Sequence, residues 1–308
     1  MTRGRPERLA RPVLVFGGSG QVGRELLRAL EPRATVVAPT HAEVDLTQPD
    51  RIRAVIRETR PAAIVNAAAL TNVDRAEHEP ELARALNEIA PATMAGEARQ
   101  VDTLMVHYST DYVFDGNRDA PYDEDAMPNP INRYGRSKLD GERAVSASGA
   151  AHMIIRTSWV YSRDGSGFVA TLLRQLPAQR AIEVVADQVG SPTWSRSLAH
   201  ATVAMLDAVR DGVAPRPARD DWGVYHLGGS GAASRVDIAR ELIAAVVERG
   251  GDREIASTMI IPVSADEFGA PARRPRYSAL SNGRAKRRFD VELSAWQSEL
   301  RAMLRADS

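Results

Sequence analysis

The sequence predicts an α/β protein with a doubly wound parallel sheet, followed by a smaller and less regular C-terminal region. Short apolar runs alternate with amphipathic stretches over residues 13–157, which is the pattern of strand–helix–strand units around a parallel sheet. A glycine-rich turn follows the first apolar run. The 308 residues are 44% hydrophobic and 26% charged, a balance typical of a globular chain that buries a substantial core.

The elements of the first half follow in order from the spacing of apolar residues. Short apolar runs bounded by turn residues predict strands, and apolar positions three and four residues apart predict helices. The predicted strands are 13–16, 35–38, 44–46, 63–65, 103–107 and 153–157. The predicted helices are 21–30, 50–59, 81–99 and 137–147.

The pattern becomes irregular after about residue 159. Residues 211–221 are rich in proline and arginine and predict a surface loop. Residues 224–227 predict a strand that returns to the sheet, and residues 234–248 and 293–304 predict helices. This irregular half therefore adds a second, smaller region to the sheet.

Composition excludes several classes of protein. The chain has no cysteine, which excludes a disulfide scaffold, a thiolate metal site and a cysteine nucleophile. Its 40 basic and 40 acidic residues balance, which argues against nucleic acid or a membrane as the main partner. Apolar runs are far shorter than the ~20 residues that span a bilayer. The basic tail, residues 1–11, precedes no apolar stretch of signal-peptide type, so we expect a cytoplasmic protein.

Three glycines follow the first predicted strand. Gly17, Gly20 and Gly23 form G-x-x-G-x-x-G at the start of the first predicted helix. Glycine lets the backbone turn tightly and approach a pyrophosphate, and the helix N-terminus offers free N–H groups to the anion. The motif thus favours a Rossmann-like dinucleotide site over an ordinary turn.

The end of the second predicted strand bears on the choice of cofactor. Residues 38–41 contain no carboxylate to bind the ribose hydroxyls of NAD. NADPH, or use of either NADPH or NADH, is therefore favoured. Asp45 is a candidate for the adenine edge, with a turn or capping role as the alternative.

Tyr134 and Lys138 form Y-x-x-x-K near a predicted helix start and share one helix face. The pKa of a free tyrosine is about 10, and a nearby ammonium lowers it. Thr110 ends a predicted strand, where open α/β sheets bind ligands. Lys138 is one of only two lysines, with Lys286, in a chain that otherwise uses arginine. These side chains predict acid–base chemistry beside the cofactor.

Together these motifs resemble the extended short-chain dehydrogenase/reductase family. Further segments carry the resemblance: V-N-A-A-A at 65–69, R-T-S-W-V-Y at 156–161, D-Q-V-G-S-P-T at 187–193 and R-P-R-Y-S-A-L at 274–280. It covers residues 13–304, nearly the whole chain. Phe16 and Tyr277 depart from residues often found there. The resemblance points to members that reduce a 4-keto sugar nucleotide, so it implies a dTDP-sugar substrate.

The resemblance also implies site residues. The implied cofactor contacts are Gly17, Gly20, Gln21, Val22, Gly23, Asp45, Leu46, Ala68, Ala69, Tyr134 and Lys138. The implied catalytic set is Thr110, Tyr134 and Lys138. The implied substrate contacts are Thr71, Val73, Thr110, Asp111, Trp159 and Arg274. Arg274 has a structural ion pair as its alternative role.

The layout predicts a division of the chain. Residues 1–11 are a flexible tail, and residues 12–160 form the dinucleotide-binding domain, with return elements near 195–235. Residues 161–194 and 236–308 form the substrate-binding region. We further expect a homodimer.

Three alternatives stay open at this point. A dehydratase of the same family needs an acidic residue after Asp111, where this chain has Tyr112. A reductase of another 4-keto deoxysugar nucleotide shares every motif. A non-catalytic dinucleotide-binding regulatory subunit also shares the fold. The six histidines are scattered without metal-type spacing, so no metal site is predicted, and the resemblance alone implies Mg²⁺.

Overall fold

The computed structural model describes residues 9–165, 167–210, 222–250 and 253–306. The predicted loop at 211–221 and residues 1–8 of the predicted tail lie outside the described residues. Leu9, within that tail, packs against the main core and donates its backbone N–H to Arg33 O at 2.9 Å. The tail is therefore anchored at this residue.

The strands are short, and most of the first five match the predicted runs. They are β1 (Val13–Phe16), β2 (Val36–Val37), β3 (Ala63–Asn66), β4 (Leu104–Thr110), β5 (His152–Thr157), β6 (Val160–Tyr161), β7 (Ala181–Val185), β8 (Val189–Gly190), β9 (Thr193–Trp194), β10 (Gly223–His226), β11 (Ala233–Ser234) and β12 (Met259–Val263).

The helices alternate with strands through the first half and cluster near the C-terminus. They are α1 (Gln21–Leu30), α2 (Pro49–Thr59), α3 (Val73–His78), α4 (Pro80–Arg84), α5 (Ala90–Gln100), α6 (Arg133–Ala147), α7 (Phe168–Gln175), α8 (Ser195–Arg210), α9 (Arg235–Glu248), α10 (Arg253–Ala256), α11 (Ala265–Phe268), α12 (Gly283–Phe289) and α13 (Trp296–Arg305). No helix of the described chain is long and apolar enough to cross a membrane.

Six parallel strands form the central sheet in the order β10-β5-β4-β3-β1-β2. The chain leaves β1 for β2 on one side and returns to β3 on the other. A crevice opens at such a switch point, at the carboxyl ends of the strands. The predicted α/β class with a parallel sheet is confirmed.

Alternate residues of β1 enter opposite faces of the sheet, as the strand period of two requires. Val13 and Val15 pack under α1 and α8. Leu14 and Phe16 pack under α2 and α5. Covering both faces explains why the parallel strands are apolar throughout.

The C-terminal region has a core of its own. Residues of α7, α9, α13 and the β7–β12 pair form a separate apolar cluster that includes Leu242, Trp296 and Leu300. Meanwhile β10 joins the central sheet beside β5, and α8 packs on α1. The chain thus adds α8 and β10 to the central sheet and its core before α9 and α13 complete the second core.

Two predicted elements differ from those observed. The strand predicted at 44–46 is wrong: Val44 packs into the core from a turn, and Asp45 accepts the Thr47 N–H at 2.9 Å. The helix predicted at 81–99 divides into α4, a π-helical turn over Ala85–Ile89, and α5. A wide turn of this kind redirects side chains inside a helix, and here it contains Asn87.

Candidate active site

A cleft of about 1210 Å³ lies at the carboxyl edge of the sheet, between the sheet and the C-terminal region. It is larger than the ~300–1,000 Å³ of a typical small-molecule pocket, and a cofactor and a substrate fit such a volume together. The predicted site residues that line it are Gly17, Gly20, Gln21, Val22, Leu46, Ala68, Ala69, Thr71, Val73, Thr110, Asp111, Tyr134, Lys138 and Trp159.

The glycine loop forms a tight turn at the carboxyl end of β1. Gly17 adopts a φ of +82°, and a Cβ there would lie 2.6 Å from Ala68 N. A Cβ on Gly23 would lie 2.0 Å from Gly17 O, so Gly23 packs beneath the loop and does not line the cleft. Gly20 precedes α1, whose first turn has no side-chain cap and no acidic residue. A helix N-terminus with no competing side-chain cap suits a dinucleotide phosphate.

Of the two residues expected to flank an adenine, Leu46 lines the cleft, whereas Asp45 lies outside the lining. The Asp45 carboxylate accepts from Thr47 N at 2.9 Å and Thr47 Oγ1 at 2.8 Å. These hydrogen bonds lower the pKa of Asp45. Asp45 therefore makes the turn contacts that were its alternative role, and its contact with an adenine stays a prediction.

Tyr134 reaches the cleft because α6 approaches the end of β4 closely. Asn132 caps α6 by accepting the Gly135 N–H at 2.7 Å. A Cβ on Gly135 would lie 2.0 Å from Tyr112 O, so only glycine permits this approach. Tyr134 and Thr110 both line the cleft at this point. Burial raises the pKa of Tyr134, and the charge of Asp111 adds to the shift.

Asp111 lies beneath Thr110 as a buried carboxylate. Its Oδ1 accepts from Thr110 Oγ1 at 3.1 Å, and its Oδ2 accepts from Ser158 Oγ at 2.8 Å and Ser278 Oγ at 2.5 Å. Burial raises the pKa of Asp111 to about 6, although these hydroxyls oppose the shift. Thr110 Oγ1 donates its one hydrogen to Asp111 and accepts the Tyr112 N–H at 3.2 Å, which leaves one lone pair for the cleft.

Lys138 is almost fully buried one turn along α6 from Tyr134. Its Nζ donates to Tyr108 O at 2.6 Å and lies 3.4 Å from His107 Nε2. Burial lowers the pKa of Lys138 to about 8, although Glu142 opposes the shift. The expected lowering of the Tyr134 pKa by Lys138 is not observed, because the ammonium faces the β4 backbone and burial dominates at the phenol.

Trp159 forms the wall of the cleft next to the C-terminal region. Its backbone has a φ of +43°, which is rare outside glycine. A Cβ on Gly190 would lie 2.6 Å from Trp159 Cε2, so this glycine of the D-Q-V-G-S-P-T segment makes room for the indole. The strained backbone of Trp159 and the space left by Gly190 together fix the indole ring at the edge of the cleft.

Arg235 was missed by the sequence reasoning. It lines the cleft at the start of α9, with its guanidinium 4.5 Å from the centre of the Trp159 ring and 5.2 Å from that of Phe168. Its charge also acts on Tyr112: burial raises the pKa of this phenol, and the Arg235 cation opposes the shift. A cation in the first turn opposes the helix dipole, but Arg133 and Arg196 occupy the first turns of α6 and α8 outside the cleft, so this signal alone does not single out Arg235.

Arg274 lies outside the cleft lining, unlike the other predicted substrate contacts. Its Nη2 pairs with Asp74 Oδ2 at 2.7 Å, and Asp74 Oδ1 accepts the Ala272 N–H at 3.0 Å. The structural ion pair, the alternative role, is what this arrangement shows. No group of three or more metal-ligating side chains occurs within the described ranges.

The fold and the site define a dinucleotide-dependent oxidoreductase of the short-chain dehydrogenase/reductase type. A family model described as "RmlD substrate binding domain" matches residues 11–308, and the chain belongs to that family.

Named relatives and a solved structure agree with this assignment. The chain is 39% identical over 286 residues to a dTDP-4-dehydrorhamnose reductase of Burkholderia thailandensis, covering 92% of this chain and 95% of that one. It is 38% identical to the enzyme of that name from Escherichia coli K12, covering 95% and 96%. The crystal structure of a dTDP-4-dehydrorhamnose reductase from Bacillus anthracis in complex with NADP superimposes with a TM-score of 0.86 at 32% identity, covering 96% and 99%.

Proposed function

We propose that this protein reduces the 4-keto group of dTDP-4-dehydro-6-deoxy-L-mannose (dTDP-4-dehydrorhamnose), giving dTDP-L-rhamnose, with NADPH or NADH. The observation that carries the proposal is the group formed by Thr110, Tyr134 and Lys138 at the carboxyl edge of the sheet, facing the cleft that the glycine loop also lines. The relatives that bear this name match nearly the whole chain, which supports the choice of substrate.

The reaction adds a hydride to C4 and a proton to the oxygen. The reduced nicotinamide supplies the hydride when it is bound. The Tyr134 O–H supplies the proton, and its raised pKa keeps the phenol protonated until the alkoxide forms. Thr110 lines the cleft together with Tyr134 and orients the carbonyl oxygen. Lys138 is placed to hold the nicotinamide ribose.

The substrate side of the cleft carries its own recognition groups. Thr71, Val73 and Trp159 line the cleft where the sugar would lie. Arg235 supplies the cation for the diphosphate, since arginine binds phosphate through charge-assisted, bidentate hydrogen bonds. It takes the role that was considered for Arg274.

The two cores match the two predicted parts of the chain except at residues 285–293, which contribute to the main core. We assign dinucleotide binding to residues 12–160 with the return elements near 195–235, and substrate binding to 161–194 and 236–308. The addition of β10 to the central sheet and the separate apolar cluster of the C-terminal region support this assignment. A homodimer and a cytoplasmic location stay predictions, as does Mg²⁺.

The test is turnover by a tyrosine variant. Purified protein receives dTDP-4-keto-6-deoxyglucose with its 3,5-epimerase, and each reduced cofactor in turn. We expect Tyr134→Phe to lose about 10²- to 10⁴-fold in kcat, the usual contribution of a positioned proton donor, with cofactor affinity unchanged. The matched control is Tyr277→Phe, outside the cleft lining, which should turn over normally.

Two outcomes would overturn the proposal. Normal turnover in Tyr134→Phe would remove the proton-donor role. No cofactor oxidation by the wild-type protein, together with a stable protein partner in a pull-down, would favour the non-catalytic regulatory subunit.

A further inference from the structure

A buried polar chain runs from Asn66 through His107 to Lys138, beneath the candidate active site. Asn66 and His107 are register partners on the adjacent strands β3 and β4. Asn66 Nδ2 lies 3.1 Å from His107 Nδ1, and His107 Nε2 lies 3.4 Å from Lys138 Nζ. His107 has no exposed surface, and the proposed function gives it no role.

The hydrogen bonds fix where the proton of His107 resides. Asn66 Oδ1 accepts the backbone N–H of Ala68 at 3.1 Å, so the amide nitrogen must face His107. An amide nitrogen only donates, and His107 Nδ1 must therefore accept. Burial, with the charge of Lys138, holds the pKa of His107 well below its usual value, so the ring is neutral. A neutral ring with a bare Nδ1 carries its hydrogen on Nε2.

This ring N–H faces the Lys138 nitrogen. An ammonium has only donors, so an ammonium and the ring N–H repel each other. The uncharged amine has a lone pair that accepts the ring N–H while Nζ still donates to Tyr108 O. The arrangement therefore favours the form of Lys138 that has released its proton.

The other titratable groups around Lys138 act differently. Glu142 lies one turn further along α6 and favours the ammonium, but its carboxylate is held by Arg156 through two hydrogen bonds of 2.9 and 2.7 Å. The phenols of Tyr108 and Tyr134 are neutral, since burial raises the pKa of each. Among the described side chains that face Lys138, His107 is thus the group that opposes the ammonium through a hydrogen bond.

We infer that the Asn66–His107 pair is a positioning device: it fixes a ring N–H against Lys138 and makes that ammonium easier to deprotonate. This inference rests on the proposed function, because Lys138 lies beside the proton donor Tyr134 and the pair makes that lysine easier to deprotonate. Its existence depends only on the hydrogen bonds described above. It is therefore testable without any measurement of turnover.

The chain offers an unusually direct test because it contains only two lysines, Lys138 and Lys286. Full-length protein labelled with ¹³Cε-lysine gives two signals, and Lys286→Arg identifies them. We expect Lys138 to titrate at about pH 8. Lys286, paired with Glu292, serves as the internal control and titrates above the usual range of a lysine pKa.

His107→Phe removes the ring N–H and keeps an aromatic ring. We expect the Lys138 midpoint to rise by about 0.5–1 pH unit, the worth of one hydrogen bond, while Lys286 stays where it was. His152→Phe, at the far end of β5, is the matched control and should leave both midpoints unchanged. A Lys138 midpoint that does not move in a folded His107→Phe protein would overturn the inference.

A second measurement needs no variant. Imidazole ¹⁵N shifts of the wild-type protein should show His107 with a protonated Nε2 and a bare Nδ1, assigned through contacts with Asn66. His226 should show the opposite tautomer, because its Nδ1 faces Tyr122 O at 3.1 Å. A protonated Nδ1 in His107 would overturn the inference even if His107→Phe failed to fold. Neither result depends on reductase activity, so the two proposals can fail separately.

Discussion

Tyr134 and Lys138 lie one helical turn apart on α6, yet they meet different partners. The Tyr134 ring meets the Tyr112 ring edge-on, with ring centres 5.9 Å apart, whereas Lys138 Nζ donates to Tyr108 O at 2.6 Å. Burial raises the pKa of Tyr134 and lowers that of Lys138 to about 8. The tyrosine therefore keeps the proton that reduction requires, and the lysine exchanges its own proton near physiological pH.

Asp111 makes the stability of the protein depend on pH. Burial raises its pKa from 3.8 to about 6. The folded protein then binds this proton more tightly than the unfolded chain does, so the free energy of unfolding falls as the pH rises from about 4 to about 6. Asp111→Asn removes the titration, and we expect it to abolish a fall on the order of 3 kcal/mol.

Urea unfolding of both proteins at pH 4 and pH 7 measures this difference. The comparison between the two proteins cancels the titration of every other group. An identical pH dependence in wild type and Asp111→Asn would contradict the raised pKa.

The sequence was enough to name the residues expected to be catalytic, but it was not enough to name the partners of the arginines. Thr110, Tyr134 and Lys138 were expected together and all line the cleft. Arg274 was expected at the substrate but pairs with Asp74, whereas Arg235 lines the cleft instead. A sequence shows that an arginine is present, but only the packing of distant segments decides which carboxylate or ring it meets.

Among the elements, α6 positions the catalytic side chains, and Gly135 sets its distance from β4. We expect Gly135→Ala to lower both stability and kcat, because the added Cβ would lie 2.0 Å from Tyr112 O and push Tyr134 away from Thr110. Gly96→Ala is the matched control: this exposed glycine of α5 has nothing within 4 Å of an added Cβ. That substitution should stabilise the protein by about 0.5–1 kcal/mol.

Thermal unfolding and steady-state kinetics of Gly135→Ala and Gly96→Ala measure these changes in stability and kcat. If Gly135→Ala matched Gly96→Ala in both measurements, the close approach of α6 would not matter for the site.

The strands and helices show what local patterns can and cannot predict. Buried strands such as β1 and β3 were predictable, because parallel strands are apolar on both faces. The short apolar run at 44–46 resembles these buried strands in sequence. Its Val44 is apolar for a different reason, because it packs into the core from a turn. The π-helical turn at Asn87 was not predictable, since it arises from contacts across the fold: Asn87 binds Leu70 N at 2.8 Å and Ser137 Oγ at 3.0 Å.

At the scale of the whole molecule, the cleft is shared by the two regions of the chain. The central sheet contributes the glycine loop and the catalytic residues, and the C-terminal region contributes Arg235 and the Gly190 that accommodates Trp159. The sequence predicted a cofactor part and a substrate part, and this assignment stays a prediction. It did not predict that Arg235, and not Arg274, lines the cleft, because this depends on how α9 packs against the sheet.

Two arginine variants test the shared cleft. We expect Arg235→Gln to raise KM for the dTDP-sugar by about 10- to 100-fold, as loss of a charged hydrogen bond costs about 1.5–3 kcal/mol, with KM for NADPH unchanged. Arg274→Gln breaks the pair with Asp74 and should lower the unfolding temperature slightly with KM near that of wild type. The reverse pattern in steady-state kinetics would return the substrate role to Arg274.

The central claim is that a hydride passes from the nicotinamide to C4 of the sugar in this cleft. The most direct measurement uses cofactor deuterated at the transferred position, with the position of the label in the product read by NMR and mass spectrometry. The account predicts dTDP-L-rhamnose with one deuterium at C4. Unlabelled product, or oxidation of the cofactor without any reduced sugar, would contradict it.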